Sequence, residues 1–186
     1  MNVAVYSGSF NPLHIGHLAI IKYMIEVAGF DMVYLIVSPK NPLKDSISSD
    51  SGLNRYNAAI EAVSRHFIKS EVHVDDIELT MPEPHYTIRT LDALRAREPQ
   101  HDFTFVMGAD NLADIRRWRE YARILAEFGV AVYPRTGFDL EAIRQDLLNE
   151  NPAYQIKIIN APMVDISSTQ IREAVSRGED ISHLLM

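Results

Sequence analysis

Cysteine is absent from all 186 residues, which excludes disulfides, thiolate nucleophiles and cysteine-ligated zinc or iron–sulfur centres. A reducing compartment fits such a chain, and a cytoplasmic protein is the expectation. Long apolar runs are also missing. The longest, Met32 to Val37, falls far short of the ~18 residues a membrane helix needs. No basic stretch followed by an apolar core opens the sequence, so a secretory leader is not expected. Positive charge is in deficit: 18 Lys and Arg against 25 Asp and Glu leave a net charge of −7. That balance argues against holding nucleic acid by neutralising phosphates over a broad surface, so an anionic substrate must be met by a local patch. Neither a repeat nor a low-complexity tract appears, which excludes solenoids and arrays.

What is present is an ordinary globular composition, 47% apolar and 23% charged, at a length suited to one domain. A single domain over residues 1–186, with a small helical part from about 166, is expected. Short apolar runs at Val3–Tyr6, Met32–Val37, Phe103–Met107, Val130–Tyr133 and Ile156–Ile159 read as strands, and Val72–Leu79 as a further extended piece. Between them, stripes at helical spacing fall at Leu18/Ile21/Ile25/Ala28, Leu53/Tyr56/Ile60/Val63/Phe67, Ile88/Leu91/Leu94, Leu140/Ile143/Leu147 and Ile171/Val175, with Leu112–Phe128 helical in two pieces. Strands alternating with helices predict a Rossmann-like, doubly wound, mainly parallel α/β sheet with helices on both faces. Ligands of such sheets bind beyond the carboxyl ends of the strands. The informative loops are therefore 8–17, 39–50, 108–118, 134–137 and 161–169.

The first of these loops, Ser7 to His17, joins a strand to a helix, where free amides and the helix dipole favour a phosphate. Neither G-x-x-x-x-G-K-[ST] nor G-x-G-x-x-G can be written over it, so the P-loop and dinucleotide-binding readings lose their best support. It carries H-x-G-H instead. Three-residue spacing puts His14 and His17 on one side of the helix start, and Gly16 lets a ligand approach the backbone. The pair reads either as two helix-start histidines without a ligand or as two donors for one anion. Zinc lacks a third ligand of fitting type. Near the other end, Ser167 with Gln170 forms a capping-box pattern. Alone it signals a well-capped helix. Beside the first loop it reads as a second phosphate cradle, with amides around Ser168 and Thr169 and the guanidinium of Arg172.

Together these segments resemble the nucleotidyltransferase superfamily that carries H-x-G-H near its N-terminus and I-S-S-T-x-I-R near its C-terminus. Pro42-Leu43-Lys44, Tyr86-Thr87-Ile88-Arg89-Thr90-Leu91, Gly108-Ala109-Asp110-Asn111 and Trp118 narrow the resemblance to the bacterial nicotinate-nucleotide adenylyltransferase family over nearly the whole length. It implies transfer of AMP from ATP to the phosphate of nicotinic acid mononucleotide, giving deamido-NAD and pyrophosphate. Mg2+ would be bound through the ATP phosphates, with no metal ligand supplied by the protein. The resemblance implies catalytic roles for His14, His17, Lys44 and Arg172. ATP contacts are implied for Gly8, Ser9, Phe10, Gly16, Gly108, Asp110, Ile166, Ser167, Ser168 and Thr169, and mononucleotide contacts for Asn11, Tyr86, Thr87, Trp118 and Arg119. Bland roles stand beside these: a helix N-cap for Asp110, the core for Trp118, a solvated face for Arg116 and Arg117. Two positions depart from the family pattern, Leu43 where histidine is usual and Arg89 where aspartate is common. The competing functions are a sister adenylyltransferase acting on nicotinamide mononucleotide or pantetheine phosphate, and a module that binds ATP without turnover. No nucleic-acid or membrane partner is expected, and a homo-oligomer is left open.

Overall fold

The β-rich runs pair side by side in parallel because each connection from one strand to the next is helical, as one helix or as several short pieces, and returns the chain to the same end of the sheet. The structure, a computed structural model, describes residues 1–39 and 51–186. Within these, β1 (Asn2–Gly8), β2 (Met32–Val37), β3 (Val72–Asp75), β4 (Asp102–Gly108), β5 (Val130–Tyr133) and β6 (Ile156–Ile158) form one sheet in the order β3-β2-β1-β4-β5-β6. Every pairing is parallel, with Val3 opposite Met32 on one side and Phe103 on the other. The expected doubly wound α/β fold is the one observed.

Strand side chains alternate between two cores. Val3 and Val5 join Tyr34, Ile36, Phe105 and Met107 on one face. Ala4 and Tyr6 join Val33, Leu35, Val37 and Val106 on the other. The first core is covered by α4 (Thr87–Arg97), α5 (Ala109–Ala113) and α7 (Leu140–Glu150), and the second by α1 (Ile15–Glu26) and α2 (Gly52–Ser64). Ile88, Leu91 and Leu94 of α4 are all buried as the stripe predicted, and Leu91 is 0% exposed. Truncating it leaves a cavity between helix and sheet, so Leu91→Ala is expected to cost about 2–5 kcal/mol in urea unfolding.

Several elements differ from the sequence reading. The extended piece Val72–Leu79 ends at Asp75, whose Oδ1 accepts from the Ile77 N–H at 2.9 Å and turns the chain into α3 (Ile77–Thr80). The stretch Leu112–Phe128 breaks into more than two pieces: the end of α5, a 3₁₀ turn at Ile115–Arg117, α6 (Tyr121–Arg123) and a π-helical turn at Ile124–Phe128. The break falls at Glu120, which takes up left-handed backbone at φ 51°. On α1 the buried face is Ile20, Ile21 and Met24, and the helix stops before Ala28. On α2 the small residues Ala59 and Ala62 pack inward beside Val63, while Leu53 and Ile60 are exposed. Lys40, Leu43 and Lys44, with the rest of the predicted loop after Pro39, lie outside the described residues. Among the described residues no helix is long and apolar enough to cross a membrane.

Candidate active site

β1 and β4 are neighbours at the centre of the sheet, and the chain leaves them toward opposite edges. Their following loops therefore part and leave a crevice at the carboxyl ends, where a doubly wound sheet offers its ligand site. The loop after β1 turns sharply. Phe10 takes up left-handed backbone (φ 44°) and swings its ring into the core, edge-on to His17 at 5.2 Å between centroids. A Cβ on Gly8 would lie 3.1 Å from that ring. The close approach of Phe10 favours glycine at position 8, and the Phe10 ring is packed in the core.

His14 is the N-cap of α1. Its Nδ1 accepts from the Gly16 N–H at 3.1 Å, and its own backbone N–H donates to His17 Nδ1 at 3.2 Å. The two imidazoles serve as a reciprocal capping box in place of the usual serine and glutamate. Their ring centroids are 3.7 Å apart. Because each Nδ1 accepts a backbone hydrogen, the proton of each neutral ring sits on Nε2. Burial, with Arg135 nearby, pulls His14 down to about 4. Burial, with His14 and Arg135, pulls His17 down to about 3. Both rings are neutral donors in neutral solution.

These shifts fix a pH dependence. In the unfolded chain both rings take up protons near 6.5, whereas folded they resist down to about 4 and 3. The unfolded state binds more protons in that window, so stability should fall as pH drops from 6.5 toward 4 and be level above it. His17→Gln, which does not titrate, is expected to flatten that slope in thermal denaturation. The wild-type rate profile should show no histidine inflection near 6.5.

The second predicted cradle lies against the first. Ser167 caps α8 (Ser168–Ser176), and the box with Gln170 is present. Ser168 Oγ donates to the Pro12 carbonyl at 3.0 Å, and Arg172 Nη1 donates to the Asn11 carbonyl at 2.8 Å. Arg172 Nη2 also donates to Thr169 Oγ1 at 3.1 Å. Both terminal nitrogens of the guanidinium expected to clamp phosphates are therefore donating within the protein, tying the two loops together. A Cβ on Gly16 would lie 3.5 Å from Ile166. Between the loops opens a cleft of about 230 Å³, lined by His14, Gly16, His17, Ile166, Ser167 and Ser168 together with Tyr133, Arg135, Thr136 and Asp165.

Arg135 escaped the sequence reading, although its loop was singled out as informative. Its guanidinium lies over the Tyr133 ring, 5.2 Å from the centroid, with Nε 3.7 Å from Asp110 Oδ1. Asp110 sits inside α5, whose N-cap is Gly108, so the N-cap role for Asp110 does not hold. A side chain on Gly108 would collide with the Asp110 carboxylate.

A second hollow, of about 250 Å³, collects Tyr86, Thr87, Trp118 and Arg119 with His85, Arg117 and Ile124. Trp118 is half-buried and stands edge-on to Phe105 at 5.9 Å, so it belongs to the core on one side and to the hollow on the other. Arg116 is no plain solvated cation, since it bonds Asp146 and Glu150 of α7. Arg117 is 81% exposed. Arg89 donates to the Pro84 carbonyl at 2.7 Å. Among the described residues no three His, Cys, Asp or Glu side chains are grouped to hold a metal ion.

A cytidylyltransferase-like family model matches residues 5–174. A probable nicotinate-nucleotide adenylyltransferase from Flavobacterium johnsoniae is 36% identical, over 100% of this chain and 92% of that protein. One from Bacteroides fragilis is 38% identical, over 97% and 85%. Among solved structures, Plasmodium falciparum nicotinic acid mononucleotide adenylyltransferase complexed with APC has the same fold (TM-score 0.79, 22% identity, 99% of this chain and 90% of that one). So does the same enzyme complexed with NaAD (TM-score 0.77, 23% identity, 97% and 86%).

Proposed function

The chain belongs to the cytidylyltransferase-like family, as a relative of nicotinate-nucleotide adenylyltransferases, and we propose that it transfers AMP from ATP to nicotinic acid mononucleotide in NAD biosynthesis. The observation that carries this reading is the union of two segments about 150 residues apart in sequence: Ser168 and Arg172 bond the carbonyls of Pro12 and Asn11, and the neutral histidine pair forms a wall of the cleft they share. A phosphate monoester has a second pKa near 6 and attacks without a protein base. One of its oxygens bonds the α-phosphorus of ATP as the bond from that phosphorus to the bridging oxygen breaks, and that oxygen leaves with pyrophosphate. The protein's task is then to position and to stabilise charge. His14 and His17 supply Nε2–H donors to the triphosphate, with the free amides at the start of α8 and the Arg135 guanidinium across the cleft. Gly108 and Asp110 serve the adenosine. Tyr86, Thr87 and Trp118 take the pyridine ring, and Arg119 meets its carboxylate. The described residues form no cage for Mg2+, so it would arrive on the triphosphate with water completing its shell. There it would neutralise charge on the leaving pyrophosphate.

The test is pyrophosphate release with ATP and magnesium, comparing nicotinic acid mononucleotide, nicotinamide mononucleotide and pantetheine phosphate as acceptors. The nicotinate acceptor should give the highest rate. Preference for another acceptor would overturn the pocket assignment, and no turnover with any would favour a module that only binds ATP. Arg119→Gln should erode discrimination against the nicotinamide acceptor by about tenfold, the worth of one charged hydrogen bond.

A further inference from the structure

A buried chain of hydrogen bonds runs beneath the site from one half to the other. Arg55 of α2 is 3% exposed, and its Nη1 donates to the carbonyls of Ser9 at 2.6 Å and Ser38 at 2.8 Å. Ser9 belongs to the loop after β1. Ser38 follows β2, and its backbone N–H donates to the Gly8 carbonyl at 2.9 Å. From there Ser38 Oγ donates to Glu78 Oε2 at 2.7 Å, and Thr90 Oγ1 donates to Glu78 Oε1 at 2.8 Å. Glu78 is 5% exposed and Thr90 1%. Thr90 lies in the first turn of α4, where its N–H donates to the Tyr86 carbonyl at 3.3 Å. Tyr86 and Thr87 line the hollow that holds Trp118.

None of Arg55, Ser38, Glu78 and Thr90 lines the cleft or that hollow. A carboxyl group buried on a four-residue helix is costly unless both oxygens are satisfied, and an apolar side chain would fill the space more cheaply. What it gains in return is register, because its two donors come from different elements that cannot shift without leaving an oxygen unpaired. We propose that Glu78 is a positioning residue, gathering Ser38 and Thr90 so that the Tyr86–Thr87 wall stands at a fixed distance from the phosphate loop held by Arg55. Resting on the function proposed above, that distance is the one between the phosphate and the pyridine ring of the mononucleotide. The strap is a ruler for the acceptor.

Thr90→Val keeps the shape and deletes the donor, whereas Thr90→Ser keeps the donor. In Thr90→Val the KM for nicotinic acid mononucleotide should rise about tenfold or more, with the KM for ATP unchanged and Thr90→Ser close to wild type. Amide hydrogen exchange should quicken both at 86–90 and, through the strap, in the loop 8–12. Faster exchange confined to α4, or an acceptor KM equal in the two variants, would overturn the proposal. Exchange is read without turnover. A wild-type enzyme inactive on this acceptor would therefore sink the proposed function while exchange still decides the strap.

Discussion

His17→Gln is expected to lower kcat by about 10²–10³ while leaving the fold and mononucleotide binding intact. The choice of glutamine matters, because His17 has two jobs that alanine would remove together. Its Nδ1 accepts the His14 backbone N–H at 3.2 Å. Glutamine is the ordinary side chain at this third helical position of a capping box and accepts the same hydrogen with its amide oxygen. What it fails to reproduce is a rigid Nε2–H held in a low-dielectric wall, edge-on to Phe10 and tilted against Tyr6. Charge that develops on the triphosphate as the α-phosphorus changes partners is stabilised only by a donor already in place. The companion His14→Asn likewise keeps an N-cap acceptor, and its effect should be of the same order. The two effects should not add, because the rings stand 3.7 Å apart and act on one substrate. Stability is expected to change by no more than about 1 kcal/mol, the worth of a cap. An unchanged rate in both variants would remove the pair from the mechanism and leave it as a capping device.

That double role shows how much of the site was legible beforehand. Spacing alone placed His14 and His17 on one side of a helix start, and Ser167 with Gln170 announced the start of α8, because capping chemistry is local and written in a few adjacent residues. The strands were legible for a similar reason, since Met32 to Val37 is apolar on both faces and only a covered central strand needs that. Failures came where the decisive partner is distant in sequence. Nothing near Arg135 indicates that it will come beside Asp110. Nothing near Arg172 indicates that one of its terminal nitrogens will be donating to the Asn11 carbonyl. On α2 the largest apolar residues misled, because the close approach to the sheet selects Ala59 and Ala62 for the buried face and leaves Leu53 and Ile60 outside. Between Leu112 and Phe128 the apolar spacing reads as two helical pieces, but the left-handed residue at Glu120 and the 3₁₀ and π-helical turns divide the stretch further.

The same distinction between local and distant partners governs the second large effect, at Trp118. Trp118→Ala is expected to raise the KM for the mononucleotide about tenfold to a hundredfold, the loss of one aromatic stacking face, and to leave the KM for ATP unchanged. Part of the side chain works elsewhere: it meets Phe105 edge-on at 5.9 Å, and removing that contact lowers stability without bearing on either substrate. Trp118→Phe separates the two. A phenyl ring keeps an apolar contact toward Phe105 and still presents a face to the hollow bounded by Tyr86, Thr87 and Arg119. It should therefore recover most of the acceptor KM. Were Trp118 purely a core residue, the alanine variant would lose melting temperature with both KM values unmoved. Were it a general support of the site, both KM values would rise together. A ring that meets the pyridine moves one and spares the other, and recovery in Trp118→Phe ties that effect to the ring face. The cleft lined by His14, His17 and Arg135 shares no lining residue with this hollow, so a side-chain loss in the hollow has no direct contact through which to reach ATP.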